Sequence, residues 1–100
     1  MNNKIDKFMQ NKGLSPKYRG YYTLRQIILN WEIENNKSKL LLNIANQNGS
    51  TVRKMTKNIK LALKNSSLEN YCEIPTIEFL RIFYSEFLHY MSLGSEYYDN

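Results

Sequence analysis

Between Ser50 and Asn65 the chain carries Arg53, Lys54, Lys57, Lys60 and Lys64 and not one carboxylate. On an α-helix, at about 100° per residue, Arg53, Lys57, Lys60 and Lys64 fall within a wedge of about 60°, with Lys54 and Asn58 beyond it. Val52, Met55, Ile59, Ala62 and Leu63 gather on a separate arc that must face a core. Like charges four residues apart repel by about 0.2–0.5 kcal/mol, and a helix that needed only a wet face would intersperse Glu among its lysines. The chemistry such a face performs is the binding of a polyanion, because each phosphate it neutralises releases counterions. Double-stranded DNA is the expected partner, with Ser50, Thr51, Arg53, Lys60 and Lys64 as its phosphate contacts.

Other residue types point to no catalysis. The single cysteine, Cys72, has no basic neighbour in sequence to lower its pKa and no partner histidine, so it reads as a small packing residue. His89, the only histidine, shares a polar strip with Glu78, Arg81 and Ser85 and reads as solvated. Glu32/Glu34 and Glu69/Glu73 are pairs by spacing alone, and acid–base work needs carboxylates converging in a pocket. There is no Gly-rich phosphate loop and no Cys/His spacing that would hold a metal, so neither enzyme activity nor a cofactor is expected. Tyr18, Tyr21 and Tyr22 beside Arg19 and Arg25 have the composition of a base-stacking platform. Tyr21 falls on an apolar stripe, which favours packing with a phenol reaching solvent or one phosphate.

The elements that must position the basic face belong to one domain, since one hundred residues bury a single core. With 42% hydrophobic and 13% aromatic residues the composition is that of a folded domain. The net charge of +5 is unevenly spread: residues 1–64 hold thirteen of fourteen Lys/Arg and three of nine acids, a balance of +10, and residues 65–100 carry −5. No apolar run approaches the roughly 20 residues that span a bilayer, and one cysteine forbids an internal disulfide. A cytoplasmic location, with no membrane or small-molecule partner, is therefore expected.

Along the chain, Ile5, Phe8 and Met9 predict a short amphipathic helix stopped at Gly13. Tyr21, Leu24, Ile27, Ile28 and Trp31 predict a long central helix over 18–35, with Arg19, Arg25 and Glu32 wet. Residues 35–38 read as a loop, with Ser38 capping a helix over 39–47. Asn48-Gly49 then makes a tight turn, and Ser50 or Thr51 caps the basic helix, Ser50 to Lys64. Helix, turn, helix is the expected arrangement. Residues 66–74 are a connector, a helical turn or a small wing. Pro75 starts a helix over 76–93 that is apolar around more than half its circumference. That helix either sinks into the core or meets a second copy of the chain through Phe79, Ile82, Phe83 and Tyr90. The fold class is all-α, a bundle of about five or six helices containing a helix-turn-helix over 1–93, with a polar acidic tail at 94–100.

The stretch Ile5 through Tyr22, running on as Lys17-Tyr18-Arg19-Gly20-Tyr21-Tyr22-Thr23-Leu24-Arg25, resembles the opening of the C-terminal effector domain of the stage zero sporulation protein A family, which begins with a helix, a Gly and a Lys-Gly-Tyr-x-x-Leu-Arg run. The resemblance resumes from Ile44-Ala45 to Leu63 and returns at Pro75-Thr76-Ile77-Glu78-Phe79-Leu80, covering most of residues 5–90. It implies about six helices, the third and fourth forming a helix-turn-helix whose fourth helix enters the major groove. By the same resemblance the base-reading positions fall on Lys54, Thr56 and Lys57, with Arg53 and Lys60 beside the phosphates. The family has Arg and Glu where this chain has Lys57 and Thr56, and Lys acts as a point charge where Arg reads guanine bidentately. The family's phosphorylatable receiver has no counterpart here, so its phosphorelay control is not expected to apply.

These readings converge on a sequence-specific DNA binder, in the first instance a regulator of transcription. An accessory DNA-binding protein of a plasmid or phage has the same sequence signature. A protein-interaction module that has lost DNA binding is the alternative from another class, and it has no use for an uncompensated basic stripe.

Overall fold

Ile5, Phe8 and Met9 share the buried side of the first helix, α1 (Asn2–Asn11), in the computed structural model, which describes residues 2–93. Four more helices follow: α2 (Arg19–Leu29), α3 (Lys37–Gln47), α4 (Val52–Lys64) and α5 (Thr76–Leu93), with a 3-10 helix at Glu69–Glu73 between the last two. The fold is all-α, with no strand among the described residues. The expected acidic tail, 94–100, lies outside them. One cluster of buried side chains draws on all five α-helices, from Ile5 through Leu24, Ile44 and Ile59 to Phe83.

Besides the start of α4 at Val52 instead of Ser50, two boundaries differ from those the sequence predicts. The central helix ends at Leu29, not at residue 35, because the Asn30 side chain donates to the Gln26 carbonyl at 2.7 Å and competes with the helical ladder there. Trp31 then turns inward and stacks on Tyr84, with ring centroids 5.7 Å apart. Lys37 closes this corner, its ammonium 4.4 Å from the Trp31 ring centroid and donating to the Trp31 and Glu34 carbonyls. The cap of α3 is Asn36 and not Ser38: the Asn36 side chain accepts from the Lys39 amide at 3.1 Å, so the helix starts two residues earlier than expected.

Of the two fates open to the aromatic surplus of α5, three of its four named residues take the core. Phe79, Phe83 and Tyr90 are buried, and only Ile82 of the four is exposed. The physical reason is α1. Its Phe8 ring lies 5.0 Å from Phe83, 5.4 Å from Phe87 and 5.5 Å from Tyr90, while Tyr71 of the connector covers Phe79 at 5.5 Å. A short helix and one 3-10 turn thus cover these rings within the chain.

α4 is held hardest by α2. A β-carbon built on Gly20 would lie 2.1 Å from the Asn58 carbonyl oxygen and 2.8 Å from the Ile59 α-carbon, so the two backbones touch at a point only glycine permits. This crossing sets the height and rotation of α4 above the core, and with them the direction of its basic face.

Candidate nucleic-acid interface

The connection from α3 to α4 is built by its own backbone. Gly49 has φ of 64°, its amide donates to the Asn46 carbonyl at 3.1 Å, and the next amide, Ser50, reaches back to Ala45 at 2.8 Å. This is the paired bonding of a left-handed helix stop, which satisfies carbonyls α3 would otherwise leave open. Thr51 then caps α4, its hydroxyl oxygen accepting from the Lys54 amide at 3.2 Å. Gln26 of α2 locks the corner from outside: its side chain donates to Gln47 at 3.1 Å and accepts from Asn48 at 3.0 Å. The Ser50 amide is therefore engaged, and what Ser50 offers a ligand is its hydroxyl.

Met55, Ile59, Ala62 and Leu63 are buried and Val52 packs partly against them, as the helical spacing predicts. The opposite face carries Arg53, Lys54, Lys57 and Lys64, all exposed, with Lys60 half-buried at one margin. Among the described residues no carboxylate comes within ion-pair distance of any of these five cations. Lys57 is near the middle of the face. Lys54 and Thr56 lie about 160° apart around the helix, so the three positions expected to read bases look to both margins and the centre rather than one spot. Thr51 is exposed and Thr56 half-buried. Leu61 also stands on this face, half exposed at 50% among the lysines, and was not singled out by its sequence. Its wheel position, about 40° from Lys57, is the signal that marks it.

The two margins differ chemically. Along the Asn58 side, α2 and the α3–α4 turn leave a cleft of about 220 Å³ lined by Arg19, Tyr22, Gln26, Asn48, Ser50 and Asn58. On the Lys60 side runs the 3-10 helix, whose Cys72 donates to the Lys60 carbonyl at 3.4 Å. Burial pushes the Cys72 thiol up, Glu69 and Glu73 add to the rise, and Lys60 and Lys64 oppose it. The thiol is thus protonated and packed, as its isolation in sequence predicts, and this margin has acids close by.

The tyrosines differ in burial, although the Tyr21 and Tyr22 rings meet edge to face with centroids 5.2 Å apart. Tyr21 is buried and donates to Asp6 Oδ1 at 2.6 Å, and Arg25, expected to be wet, is part-buried and pairs with the same oxygen at 3.1 Å. Tyr22 is exposed at 57% and faces the cleft. Tyr18 is half-buried beneath Lys17, 5.3 Å from its ring centroid, so no common stacking platform forms. His89 is exposed and lines a separate cleft of about 310 Å³ between α1 and α5, spanned by a Lys12–Glu86 ion pair of 2.7 Å. None of the α4 cations borders that cleft.

Among the described residues no helix is long and apolar enough to cross a membrane. Comparison with protein-family models, with curated proteins and with solved structures found no match to the chain.

Proposed function

We propose that the chain is a sequence-specific binder of duplex DNA that regulates transcription, with α3, the turn at 48–51 and α4 acting as a helix-turn-helix. The observation that carries this reading is the face of α4: four exposed cations and a fifth at its margin, with no carboxylate paired to any of them among the described residues. A helix of thirteen residues is about 20 Å long, and a B-form major groove about 12 Å wide admits it. Arg53, Lys60, Lys64, Ser50 and Thr51 contact phosphates and set the register. Lys54, Thr56 and Lys57 read base edges, and Leu61 supplies an apolar contact suited to a thymine methyl group.

The resemblance to the sporulation effector domains over most of residues 5–90 is consistent with this reading and implies the same helix as the groove reader. An accessory role in the replication or transfer of a plasmid or phage uses the same contacts and differs only in the DNA it serves. A protein-interaction module that grips a partner through the C-terminal helix is the second reading, supported by the exposed Ile82 and Leu88 of α5.

The test is a titration of the purified chain against random-sequence duplex pools at two salt concentrations, with sequencing of the bound fraction. An enriched motif with steep salt dependence is the expected result and identifies the operator. Absence of binding at low salt discards the DNA reading in favour of the interaction module.

A further inference from the structure

Arg19, Tyr22, Gln26, Asn48, Ser50 and Asn58 come from three separate stretches of chain and meet in one cleft beside α4. Gly20 holds the arrangement together, because the backbone contact it permits with Asn58 brings the first turn of α2 against the middle of α4. Gln26 fixes the opposite wall by its bonds to Gln47 and Asn48. With Thr23 and the buried Met55 at its floor, the lining is a guanidinium, a phenol, two hydroxyls, amides and one thioether, with no carboxylate. Arg19 is exposed, and among the described residues no acid pairs with it. Such a lining suits an anion with several acceptor oxygens, and a planar guanidinium matches two of them at once.

We infer that this cleft binds one phosphodiester of the DNA backbone, on the strand that borders the groove occupied by α4. The assignment rests on the DNA reading above and deepens it. A helix seated in a major groove has a phosphate wall on each side. On the Asn58 side the wall meets the cleft and its exposed Arg19; on the Lys60 side it meets the 3-10 helix, which carries Glu69 and Glu73. Lys60 itself reaches the wall on its own side, but only the cleft margin adds a cation and hydrogen-bond donors from outside α4. Arg19 grips it, the Tyr22 hydroxyl donates to it, and Ser50 and Asn58 add hydroxyl and amide donors. The duplex is thereby gripped by α2 as well as by α4, through two helices whose relative position glycine contact fixes.

The experiment uses the full chain and the enriched duplex, prepared as a set in which one phosphate at a time is replaced by a neutral methylphosphonate. Arg19→Gln, Arg19→Lys and Tyr22→Phe are compared with the unaltered protein, and thermal melts verify that each folds. One neutral linkage at the groove margin is expected to weaken the unaltered protein about tenfold and to leave Arg19→Gln, already weakened by that amount, unaffected. Arg19→Gln should flatten the dependence of log affinity on log salt by about one, Arg19→Lys should restore the slope but not the full affinity, and Tyr22→Phe should lose about threefold. Inorganic phosphate, added at an ionic strength matched with chloride, should not compete; if it does, the cleft takes a free phosphate and the backbone assignment fails. If Arg19→Gln binds with unchanged slope and unchanged phosphate sensitivity, the cleft is not a contact, while the role of α4 stands. Loss of binding by the unaltered protein to every duplex removes both.

Discussion

Gly20 and Asn58 mark the closest approach of α2 to α4: a β-carbon at residue 20 would sit 2.1 Å from the Asn58 carbonyl oxygen. The obstacle is backbone, so no rotamer change relieves it. Alanine is the better helix former by about 1 kcal/mol. Overpacking of a tight contact costs about 1–3 kcal/mol and more where backbone must move, so the clash outweighs the gain. Gly20→Ala should lower stability by about 2 kcal/mol, seen as a fall of roughly 10 °C in Tm. A Tm equal to or above that of the unaltered chain would show that the helices do not touch there.

Gly49 is the complementary case. Nothing lies within 4 Å of a β-carbon placed on it, but its φ is +64°. The cost of alanine is therefore purely conformational, about 1–2 kcal/mol, offset in part by a stiffer unfolded chain. Gly49→Ala should lose about 1 kcal/mol and Gly49→Asn less, because asparagine tolerates that region. Equal losses from Gly49→Asn and Gly49→Ala in chemical denaturation would contradict the turn geometry.

These two glycines show how far the sequence reaches. Gly49 was legible because its demand is local: a helix stop, a capping Thr51 and the apolar arc of α4 are all specified by neighbours in the chain. The direction of the basic stripe followed from the same periodicity. Gly20 imposes a tertiary demand, a contact with a residue 38 positions away, which no local pattern carries. The end of α2 was misplaced because Trp31 continues the apolar stripe while Asn30 already diverts a carbonyl. The burial of Phe79, Phe83 and Tyr90 depends on where α1 packs, so hydrophobic periodicity alone left core and interface undivided. The cleft at Arg19 and Tyr22 was likewise invisible, since its walls are assembled only by the crossing of α2 and α4.

Asp6 gives the fold an acid-sensitive joint between α1 and α2. Its Oδ1 accepts from the Tyr21 hydroxyl at 2.6 Å and from Arg25 Nε at 3.1 Å. The Tyr21 bond, assisted by Arg25 and opposed by burial, holds the carboxyl below its ordinary value of 3.8. A carboxylate lowered on folding contributes stability that is present above that ordinary value and is lost as pH falls through the lowered one. Asp6→Asn should cost about 1 kcal/mol at neutral pH, a figure discounted for the solvent that reaches the pair, and should flatten the loss of stability below about pH 4. Parallel Tm-against-pH curves for the two proteins would sink the assignment.

Lys57 and Lys60 differ in place and so in expected role. Lys57 is exposed near the centre of the α4 face, and Lys60 is half-buried at the margin beside the 3-10 helix. Lys57→Ala should relax sequence preference among selected duplexes, at about 1–3 kcal/mol of discrimination. Lys60→Ala should weaken all sequences alike and reduce the salt slope by about one. Equal losses on every sequence from both variants would show that neither reads a base.

Leu61 offers the sharpest test of whether α4 lies in a major groove at all. It is half exposed on a face otherwise made of cations, where a lysine would serve a purely electrostatic surface better. In the major groove the 5-methyl of thymine is the one apolar group a base pair presents, and minor-groove or backbone binding never meets it. Replacing single thymines of the enriched duplex by deoxyuridine removes that methyl and leaves every hydrogen-bonding group in place. Burying one such carbon is worth about 0.8 kcal/mol, so one substitution should weaken the unaltered protein about fourfold. Leu61→Ala should bind with an already lowered affinity and show no further loss at that position, its Tm little changed because the side chain packs on no core. If each deoxyuridine costs both proteins the same, Leu61 does not meet a thymine, and if none costs either protein anything, α4 does not read the groove at a thymine.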